Sequence, residues 1–561
     1  MHWRSPKSIQ GELKAVFESE FNIHSSIAEL LVLRGFESVE AVRTFLHPKL
    51  GNLEDPFLLP DMAVAVDRIL EAIDKREKIL LYGDYDVDGV TSVTLLHRIL
   101  LEFGADVRSY LPNRLKNGYG LSEKGMEESF RTEKPDLLIT LDCGTSSVKE
   151  VEKAKKMDVD VIIIDHHECG IELPSCLALV NPKRGSNFEY LCTVGIAFKV
   201  AHALLKKRRD TSIQLKEYLD LVALGTVADV VPLIKENRLL VIKGLAQASQ
   251  SKWPGLRALQ KISGLSGALQ ASDISFKIAP RINAAGRLES AEIALDLLMS
   301  SNEIEVDLLV SQLEKLNVQR RLLADEVYNQ AEAVVAAAFD GTQHRAIVVG
   351  GRNWHPGLIG IVAAKLVQKY HCPAVVIGFD ENGVGKGSAR SIDGFSLVEA
   401  LRHCDGFLVK HGGHHMAAGV SLLETRMKEF QQAFQSYAEK VLLEETAVPT
   451  VAPDVQIQLS EITLHLLEGY EALGPFGTDH SEPLFLLKNV HAAATPAVMK
   501  EKHRSFTFWQ NGTTARAVWF NSAEQVLPPP PWDVAFTLSR NDFRGVSSPA
   551  ILIRYLRSAE A

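Results

Sequence analysis

Three carboxylates lie close together in residues 82–89, which read YGDYDVDG. Asp84 and Asp86 are two residues apart, so in an extended backbone their side chains point in the same direction. Two parallel carboxylates repel each other unless a cation lies between them, and hard oxygen ligands suit Mg²⁺ or Mn²⁺. Capping of a following helix is the alternative role for an Asp-rich turn. The stretch therefore indicates either a metal site or a helix cap.

The segments on either side of these carboxylates have the pattern of a buried parallel strand followed by a helix. Residues 79–82 form a short β-prone apolar run, and residues 90–101 have helical periodicity. In an open α/β sheet, ligands bind at the carboxyl ends of the strands. The carboxylates lie where such a site is expected.

Two further buried-strand patterns also end in acid or imidazole groups. Residues 136–141 are followed by Asp142, and residues 159–164 are followed by Asp165-His166-His167. Asp229, after an apolar helical stretch, is a fourth candidate ligand. Helix capping explains one such strand end, but three of them at one sheet edge favour a metal site.

The motifs together carry a resemblance. Asp165-His166-His167, with Asp84 and Asp86 upstream and residues 225–233 downstream, resembles the DHH phosphoesterase superfamily, and most closely its bacterial single-strand-specific 5′-to-3′ DNA exonucleases. Further matching stretches follow in the expected order over almost the whole chain: residues 111–114 (LPNR), 281–287 (RINAAGR), 353–357 (NWHPG), 387–391 (GSARS) and 412–419 (GGHHMAAG).

The resemblance implies a divalent metal centre with Mn²⁺ or Mg²⁺ as the cofactor. The better-filled site would use Asp86, Asp142, His166 and Asp229, and the other site would use Asp84 and Asp142. His167 completes the implied catalytic set. We expect His167, Asp88 and Asp165 to orient the ligands through hydrogen bonds. Leu80 stands where the pyrophosphatase branch has a histidine, so we expect one tight and one weaker ion.

Basic and small residues elsewhere are the candidate contacts to DNA and its phosphates. In residues 281–287 two arginines flank what we interpret as a small-residue turn, with surface charge as the alternative. The loop at residues 111–120 and the Gly-Gly turn at residues 412–415 suit phosphate, although those histidines could cap a helix. The expected DNA and phosphate ligands are Arg114, Tyr119, Arg281, Arg287, Ser388, Arg390, His414 and His415.

The predicted fold class is multidomain α/β. We expect a doubly wound parallel-sheet DHH catalytic domain, a helical connector, a second α/β DHH-associated lobe that binds phosphate, and a C-terminal OB-type β-barrel. An N-terminal extension is expected to pack on the catalytic domain. In chain order the five parts are residues 1–60 (extension), 61–235 (catalytic), 236–339 (connector), 340–445 (second lobe) and 454–561 (barrel).

The expected barrel carries a hairpin signal and candidate nucleotide contacts. Asn511-Gly512 between alternating runs predicts a hairpin turn. In an OB-type domain, aromatic and basic side chains bind single strands by stacking and pairing with nucleotides. The candidates are Arg504, Phe508, Arg516 and Trp519, and about half of the rings must instead fill the barrel.

Composition narrows the class of protein. The 561 residues include 46% hydrophobic and 23% charged residues, as in ordinary globular proteins. A net charge of −9 argues against non-specific binding to duplex DNA. Six cysteines without a Cys-x-x-Cys pair indicate neither a zinc knuckle nor a disulfide framework. We find no signal peptide and no membrane span, and expect a cytoplasmic protein.

The expected function is hydrolysis of single-stranded DNA from the 5′ end with release of 5′ mononucleotides, in recombination and repair. The resemblance also implies a single-strand-binding protein and a helicase as partners. One alternative is a DHH phosphodiesterase for oligonucleotides, but such members are typically shorter and lack the barrel. The other is a non-catalytic replication scaffold, which would be expected to have lost the acidic positions present here.

Overall fold

The structure is a computed structural model of the chain. It describes residues 2–559 except 8, 10, 115, 119, 210–211, 340–344, 443–449 and 544. Within this described part, no helix is both long and apolar enough to cross a membrane.

The chain begins with a short strand and three helices. Each of the second and third helices begins with a side-chain cap: His24 accepts from the backbone N–H of Ser26, and Ser38 from that of Ala41. The elements are β1 (His2–Trp3), α1 (Glu12–Phe21), α2 (Ser25–Leu33) and α3 (Val39–Leu46).

A five-stranded parallel sheet forms the first lobe, with strand order β3-β2-β4-β5-β6. Alternate strand residues enter different cores: Ile79 and Leu81 pack on one face, and Leu80 and Tyr82 on the other. Coverage of both faces explains the continuous apolar strands. The elements are α4 (Met62–Lys75), β2 (Lys78–Gly83), α5 (Val87–Glu102), β3 (Asp106–Tyr110), α6 (Glu123–Glu133), β4 (Leu137–Leu141), α7 (Val148–Lys155), β5 (Asp160–Ile164), β6 (Ala178–Val180), α8 (Thr193–Lys207) and α9 (Leu219–Ala228).

Helices follow, and the last of them joins the two lobes. It has 36 residues and is about 54 Å long at 1.5 Å per residue. Leu313, in the first half of this helix, packs in the core of the first lobe, whereas Ala331, in the second half, packs in the core of the second lobe. The elements are α10 (Lys235–Ala248), α11 (Pro254–Ile262), α12 (Ala271–Asp273), a π-helical turn (Ile274–Ile278), α13 (Ala279–Leu288), α14 (Glu292–Met299) and α15 (Glu303–Ala338).

The second lobe is a five-stranded mixed sheet with strand order β10-β11-β9-β8-β7. Only the pair β7–β8 is parallel, and the other pairs are antiparallel. The elements are β7 (Ile347–Arg352), α16 (Ile359–Tyr370), β8 (Ala374–Phe379), β9 (Val384–Arg390), α17 (Leu397–His403), β10 (Lys410–Gly413), β11 (Ala417–Leu423) and α18 (Met427–Val441).

The C-terminal domain contains a closed β-barrel. Pairing of β14 with β16 closes the order β14-β18-β19-β17-β16. Asn511 and Gly512 both have positive φ and join β16 to β17, so the predicted hairpin is confirmed. The elements are β12 (Thr450–Val451), β13 (Val455–Gln456), α19 (Leu464–Leu473), β14 (Phe485–Ala492), β15 (Ala497–Met499), β16 (His503–Gln510), β17 (Thr513–Trp519), β18 (Trp532–Phe543) and β19 (Val546–Ser558).

The N-terminal helices do not pack as the sequence suggested. Phe17 and Ile27 share one core with Phe485 and Phe536 of the C-terminal domain, and β1 pairs with β12. The expectation that residues 1–60 pack on the catalytic domain is therefore wrong for α1–α3. It holds for the end of the segment, where Leu59 enters the core of the first lobe. Amphipathic helices fix which face is buried but not which partner covers it.

Candidate metal centre and arginine cluster

Three acidic residues come to the same level at one edge of the first sheet. Asp84, Asp142 and Asp165 are each the first residue after a parallel strand. The backbone ladder continues through them: Asp84 N–H donates to Leu141 O at 3.2 Å, and Asp142 N–H donates to Ile164 O at 3.1 Å. Neighbouring strand ends therefore deliver their side chains side by side, as the sequence indicated.

Asp229 and His166 complete this group. His166 Nε2 lies 3.4 Å from Asp142 Oδ1 and 3.5 Å from Asp229 Oδ2. Asp229 follows the last turn of α9, outside the sheet. Within the described part of the chain, three sets of side chains have ligand atoms within 4.8 Å of one another: Asp84, Asp86 and Asp142; Asp142, His166 and His167; and Asp88, Cys192 and Asp229.

Two buried carboxylate oxygens of the group, Asp84 Oδ1 and Asp229 Oδ2, have no hydrogen-bond partner among the described residues. Burial, followed by the charge of Asp86, raises the pKa of Asp84. Burial, followed by the charge of Asp88, raises the pKa of Asp142, and it raises the pKa of Asp229 to about 9. A cation would bind the unpaired oxygens and offset the repulsion between the carboxylates. The residues of this group therefore fit divalent metal ions.

Asp86 combines the two roles that the sequence left open. Its Oδ1 accepts from the backbone N–H groups of Asp88 at 3.0 Å and Gly89 at 3.1 Å, which caps α5. The carboxylate also belongs to the set that includes Asp84 and Asp142. A Cβ at Gly89 would overlap the backbone of Asp84, so this turn requires glycine.

Asp165 organises the two histidines that follow it. Its Oδ1 accepts from the backbone N–H of His166 at 2.8 Å and lies 2.7 Å from His167 Nδ1. Burial alone would raise the pKa of Asp165, but the hydrogen bond and charge of His167 outweigh it and hold the pKa well below its usual range. Burial, and then His167, lowers the pKa of His166 to about 3, which keeps that imidazole neutral for a metal.

Asp88 fixes α8 against the metal centre. Its carboxylate accepts from the backbone N–H groups of Thr193 at 2.7 Å and Val194 at 2.8 Å. Thr193 Oγ1 in turn donates to Asp142 Oδ1 at 3.0 Å. Sequence reasoning missed Thr193. Its signal was a hydroxyl in the first turn of a helix, which is too common to single out.

Four arginines from four separate segments approach one another beside this centre. We call Arg114, Arg287, Arg320 and Arg390 the arginine cluster. Burial, and then the charges of Arg114, Arg320 and Arg390, lowers the pKa of Arg287 to about 10. None of the four is in an ion pair among the described residues. Guanidinium groups without an ion-pair partner are suited to phosphate.

Bonds to uncharged groups hold two members of the cluster in place. Arg287 donates to Gly357 O at 3.0 Å. Arg390 donates to Ser388 Oγ at 3.0 Å and to its neighbouring carbonyl, that of Ala389, at 2.8 Å. The predicted residues Arg114, Arg287, Ser388 and Arg390 are therefore grouped, and Arg320 is an addition that the sequence did not indicate.

Arg281 does not join the cluster. Residues 281–287 lie within helix α13, so the expected small-residue turn is wrong. Gly286 serves helix packing, because a Cβ there would lie 2.7 Å from Tyr85 O. Arg281 donates to Glu314 Oε2 and to the Lys277 carbonyl, each at 2.5 Å. Alanine, arginine and leucine favour a helix. Because successive residues of a helix point in different directions, Arg281 and Arg287 lie on different sides of α13.

The remaining predicted phosphate ligands lie in different settings. His414 lies in the turn between β10 and β11, and burial, then the charge of His167 and, more weakly, that of His414, lowers the pKa of His166. His415 Nδ1 lies 2.8 Å from Ser396 Oγ, beside the start of α17. Tyr119 lies outside the described residues.

The C-terminal barrel exposes other aromatic residues than those expected. Phe508 is fully buried in the barrel core, so its expected stacking role is wrong. Along β16 successive side chains alternate between the two faces, and Trp509 is 44% exposed. Phe520 is also exposed, and Arg516 lies on the exposed side of β17. The strand pattern predicted exposure and burial, but not which alternate residues face outwards.

Comparison with known families divides the chain into three matching regions. Residues 78–226 match the DHH family N-terminal domain. Residues 333–440 match the DHHA1 domain, and residues 453–555 match the RecJ OB domain.

Relatives match over nearly the whole chain. The single-stranded-DNA-specific exonuclease RecJ of Bacillus subtilis is 37% identical over 563 residues, which cover 99% of this chain and 70% of the relative. The crystal structure of Thermus thermophilus RecJ in complex with Mn²⁺ has 31% identity and a TM-score of 0.86, with 100% of this chain and 80% of that chain covered. The corresponding Mg²⁺ complex has 30% identity and a TM-score of 0.80, with 100% and 79% covered.

Proposed function

The chain belongs to the RecJ family of single-stranded-DNA-specific exonucleases, and from this membership we infer that it hydrolyses single-stranded DNA from a strand end with Mn²⁺ or Mg²⁺. One observation carries the chemistry. A buried set of carboxylates and imidazoles that fits divalent cations lies beside arginines that lack carboxylate partners. A phosphodiester next to a free terminal phosphate satisfies both sets of charges.

The metal-holding residues are Asp84, Asp86, Asp142, His166 and Asp229. When bound, divalent cations supply Lewis acidity to phosphate oxygens and make water a better nucleophile at neutral pH. Thr193 and Asp165 hold Asp142 and the histidines in position by the hydrogen bonds described above. Leu80 is buried and offers no ligand, which supports one tight and one weaker ion.

We propose that the arginine cluster sets the strand polarity. Arg114, Arg287 and Arg390, with Ser388, bind the terminal 5′ phosphate, so that the first phosphodiester lies at the metals and 5′ mononucleotides are released. We propose that His414 of the second lobe contacts the same phosphodiester. Bidentate guanidinium–phosphate pairs supply direction as well as affinity.

The test is degradation of a single-stranded oligonucleotide labelled at its 3′ end, with Mn²⁺ or Mg²⁺. We expect stepwise shortening from the 5′ end, no cleavage of a matching blunt duplex, and none by Asp142→Ala. Shortening from the 3′ end would overturn the polarity, and cleavage of the duplex at the same rate would overturn the strand preference.

The two alternative functions have less support. The chain has the barrel that short DHH phosphodiesterases lack, and it retains the five metal-holding residues that a non-catalytic scaffold would be expected to lose. A single-strand-binding protein and a helicase as partners, a role in recombination and repair, and a cytoplasmic location stay predictions. Pull-down of the full chain with each purified partner tests the first of these.

A further inference from the structure

The segment directly after Asp229 has an unfavourable backbone conformation. Val230 has φ = +62°, a region that a β-branched residue rarely adopts. Its side chain is 69% exposed, so packing of that side chain does little to offset the strain. Other contacts must hold this backbone, and with it the end of α9 that carries Asp229.

A tight turn of the C-terminal domain supplies such contacts. Gly477 and His480 close the turn through paired backbone hydrogen bonds of 2.9 and 3.1 Å. At its tip, Thr478 Oγ1 donates to Val230 O at 2.7 Å, and Thr478 O accepts from Leu233 N–H at 2.9 Å. One residue of the C-terminal domain therefore holds both ends of residues 230–233.

The approach between these two segments is close. A Cβ at Gly477 would lie 2.7 Å from Leu233 Cδ1, so glycine lets the turn reach the segment. From within the first lobe, Asn237 Nδ2 also donates to Pro232 O at 3.0 Å. The Thr478 hydroxyl nevertheless makes the contact nearest in sequence to Asp229.

The turn is itself fixed from two sides. Arg34, at the end of α2, donates to Ser481 O at 2.6 Å and lies 3.3 Å from His480 Nδ1. Arg238 of α10 donates to the carbonyls at the end of α19, including Gly474 O at 2.8 Å. His480 Nε2 lies 2.8 Å from Leu473 O. The tip of the turn therefore contacts the segment after Asp229 from a base that hydrogen bonds hold to α2 and α10.

We propose that Thr478 is a positioning residue for the metal centre: by holding Val230 and Leu233, it fixes the backbone that orients the Asp229 carboxylate. The inference rests on the proposed function, in which Asp229 is a metal ligand. It gives the C-terminal domain a second role besides the DNA contact expected of its barrel. The C-terminal domain then contributes to the geometry of a metal centre whose ligands all lie in the first lobe.

The test measures Mn²⁺ affinity by titration calorimetry on full-length Thr478→Val, which keeps the shape and removes the hydroxyl. We expect affinity about three- to tenfold weaker than in the wild type, the scale of one lost hydrogen bond. Thr478→Ser restores it. We expect amide exchange at Val230, Val231 and Leu233 to be faster in the metal-free Thr478→Val protein than in the wild type.

The matched control is Thr132→Val. Thr132 Oγ1 donates to Glu128 O at 3.2 Å on the exposed face of α6, so this variant loses the same kind of bond away from the centre. It keeps wild-type Mn²⁺ affinity.

Unchanged Mn²⁺ affinity in Thr478→Val overturns the inference, provided that Asp229→Asn weakens binding. Equal weakening in Thr478→Val and Thr478→Ser, with a matching loss of stability, also overturns it, because the hydroxyl then has only a structural effect. Wild-type affinity in Asp229→Asn would instead show that the ligand set of the proposed function is wrong. The two failures are therefore distinguishable.

Discussion

Replacement of Arg287 by alanine should reduce recognition of the 5′ phosphate while leaving the chemistry intact. The described residues use one of its five N–H donors, on the Gly357 carbonyl, and its neighbours Arg114, Arg320 and Arg390 are also cations. A phosphate offsets this repulsion. Hydrogen bonds to a charged group contribute about 1.5–3 kcal/mol, which corresponds to about 10- to 150-fold in kcat/KM.

The assay compares single strands that differ only in a 5′ phosphate or a 5′ hydroxyl, for wild type, Arg287→Ala and Arg281→Ala. Arg281 is the matched control, because it lies on the same helix but is paired with Glu314. We expect Arg287→Ala to lose the preference for the phosphorylated strand. Arg281→Ala should keep that preference and lose stability instead.

Two results would refute this reasoning. Equal losses on phosphorylated and hydroxyl-ended strands by Arg287→Ala would mean that the cluster binds DNA without sensing its end. Loss of discrimination by Arg281→Ala would mean that the helix orientation is not that of the working enzyme.

Three further predictions address other parts of the molecule. Phe508→Ala should lower the free energy of unfolding by about 3–5 kcal/mol in urea titrations. Trp509→Ala should keep the urea midpoint and weaken binding of a long single strand in anisotropy measurements. Equal destabilisation by both variants would contradict the assignment of Phe508 to the barrel core and of Trp509 to its surface. Burial lowers the pKa of His480 to about 4, so the unfolded chain binds more protons between pH 6.5 and 4 and stability should fall by up to about 3 kcal/mol as the pH drops through that window. His480→Gln should flatten this dependence, and an unchanged slope would exclude His480 as its source. Asp142→Asn should raise the melting temperature of the metal-free protein and abolish its stabilisation by Mn²⁺, and a wild-type response to Mn²⁺ in thermal shift assays would contradict the ligand role.

Most of the candidate metal centre could be predicted from the sequence, because its acidic residues directly follow strands of one sheet. Asp84 and Asp142 follow short apolar runs with the pattern of buried strands, and parallel strands of one sheet end at the same edge. Asp229 was harder, because a helix end carries no such register. Its place after an apolar helix made it a candidate, and the family motif then assigned it to the metal site.

The arginines show where sequence reasoning fails. Arg281 and Arg287 are six residues apart, so in a helix they point about 120° away from each other. Arg281 pairs with Glu314, whereas Arg287 has no ion-pair partner among the described residues. The interpretation of residues 281–287 as a turn placed both arginines at the phosphate. Arg320 was missed because it belongs to α15, whose position is set by tertiary packing.

The core shared by α1–α3 and the C-terminal domain has a consequence for synthesis on the ribosome. Phe17 and Ile27 are synthesised before their packing partners Phe485 and Phe536, which lie more than four hundred residues later in the sequence. At about 5–20 residues per second, that interval is roughly 20–90 s. During it the apolar faces of the first helices have no native cover, although the parallel-sheet lobe between them can already fold. Chaperone binding to the nascent chain should therefore peak early on these helices and end only when the barrel has emerged.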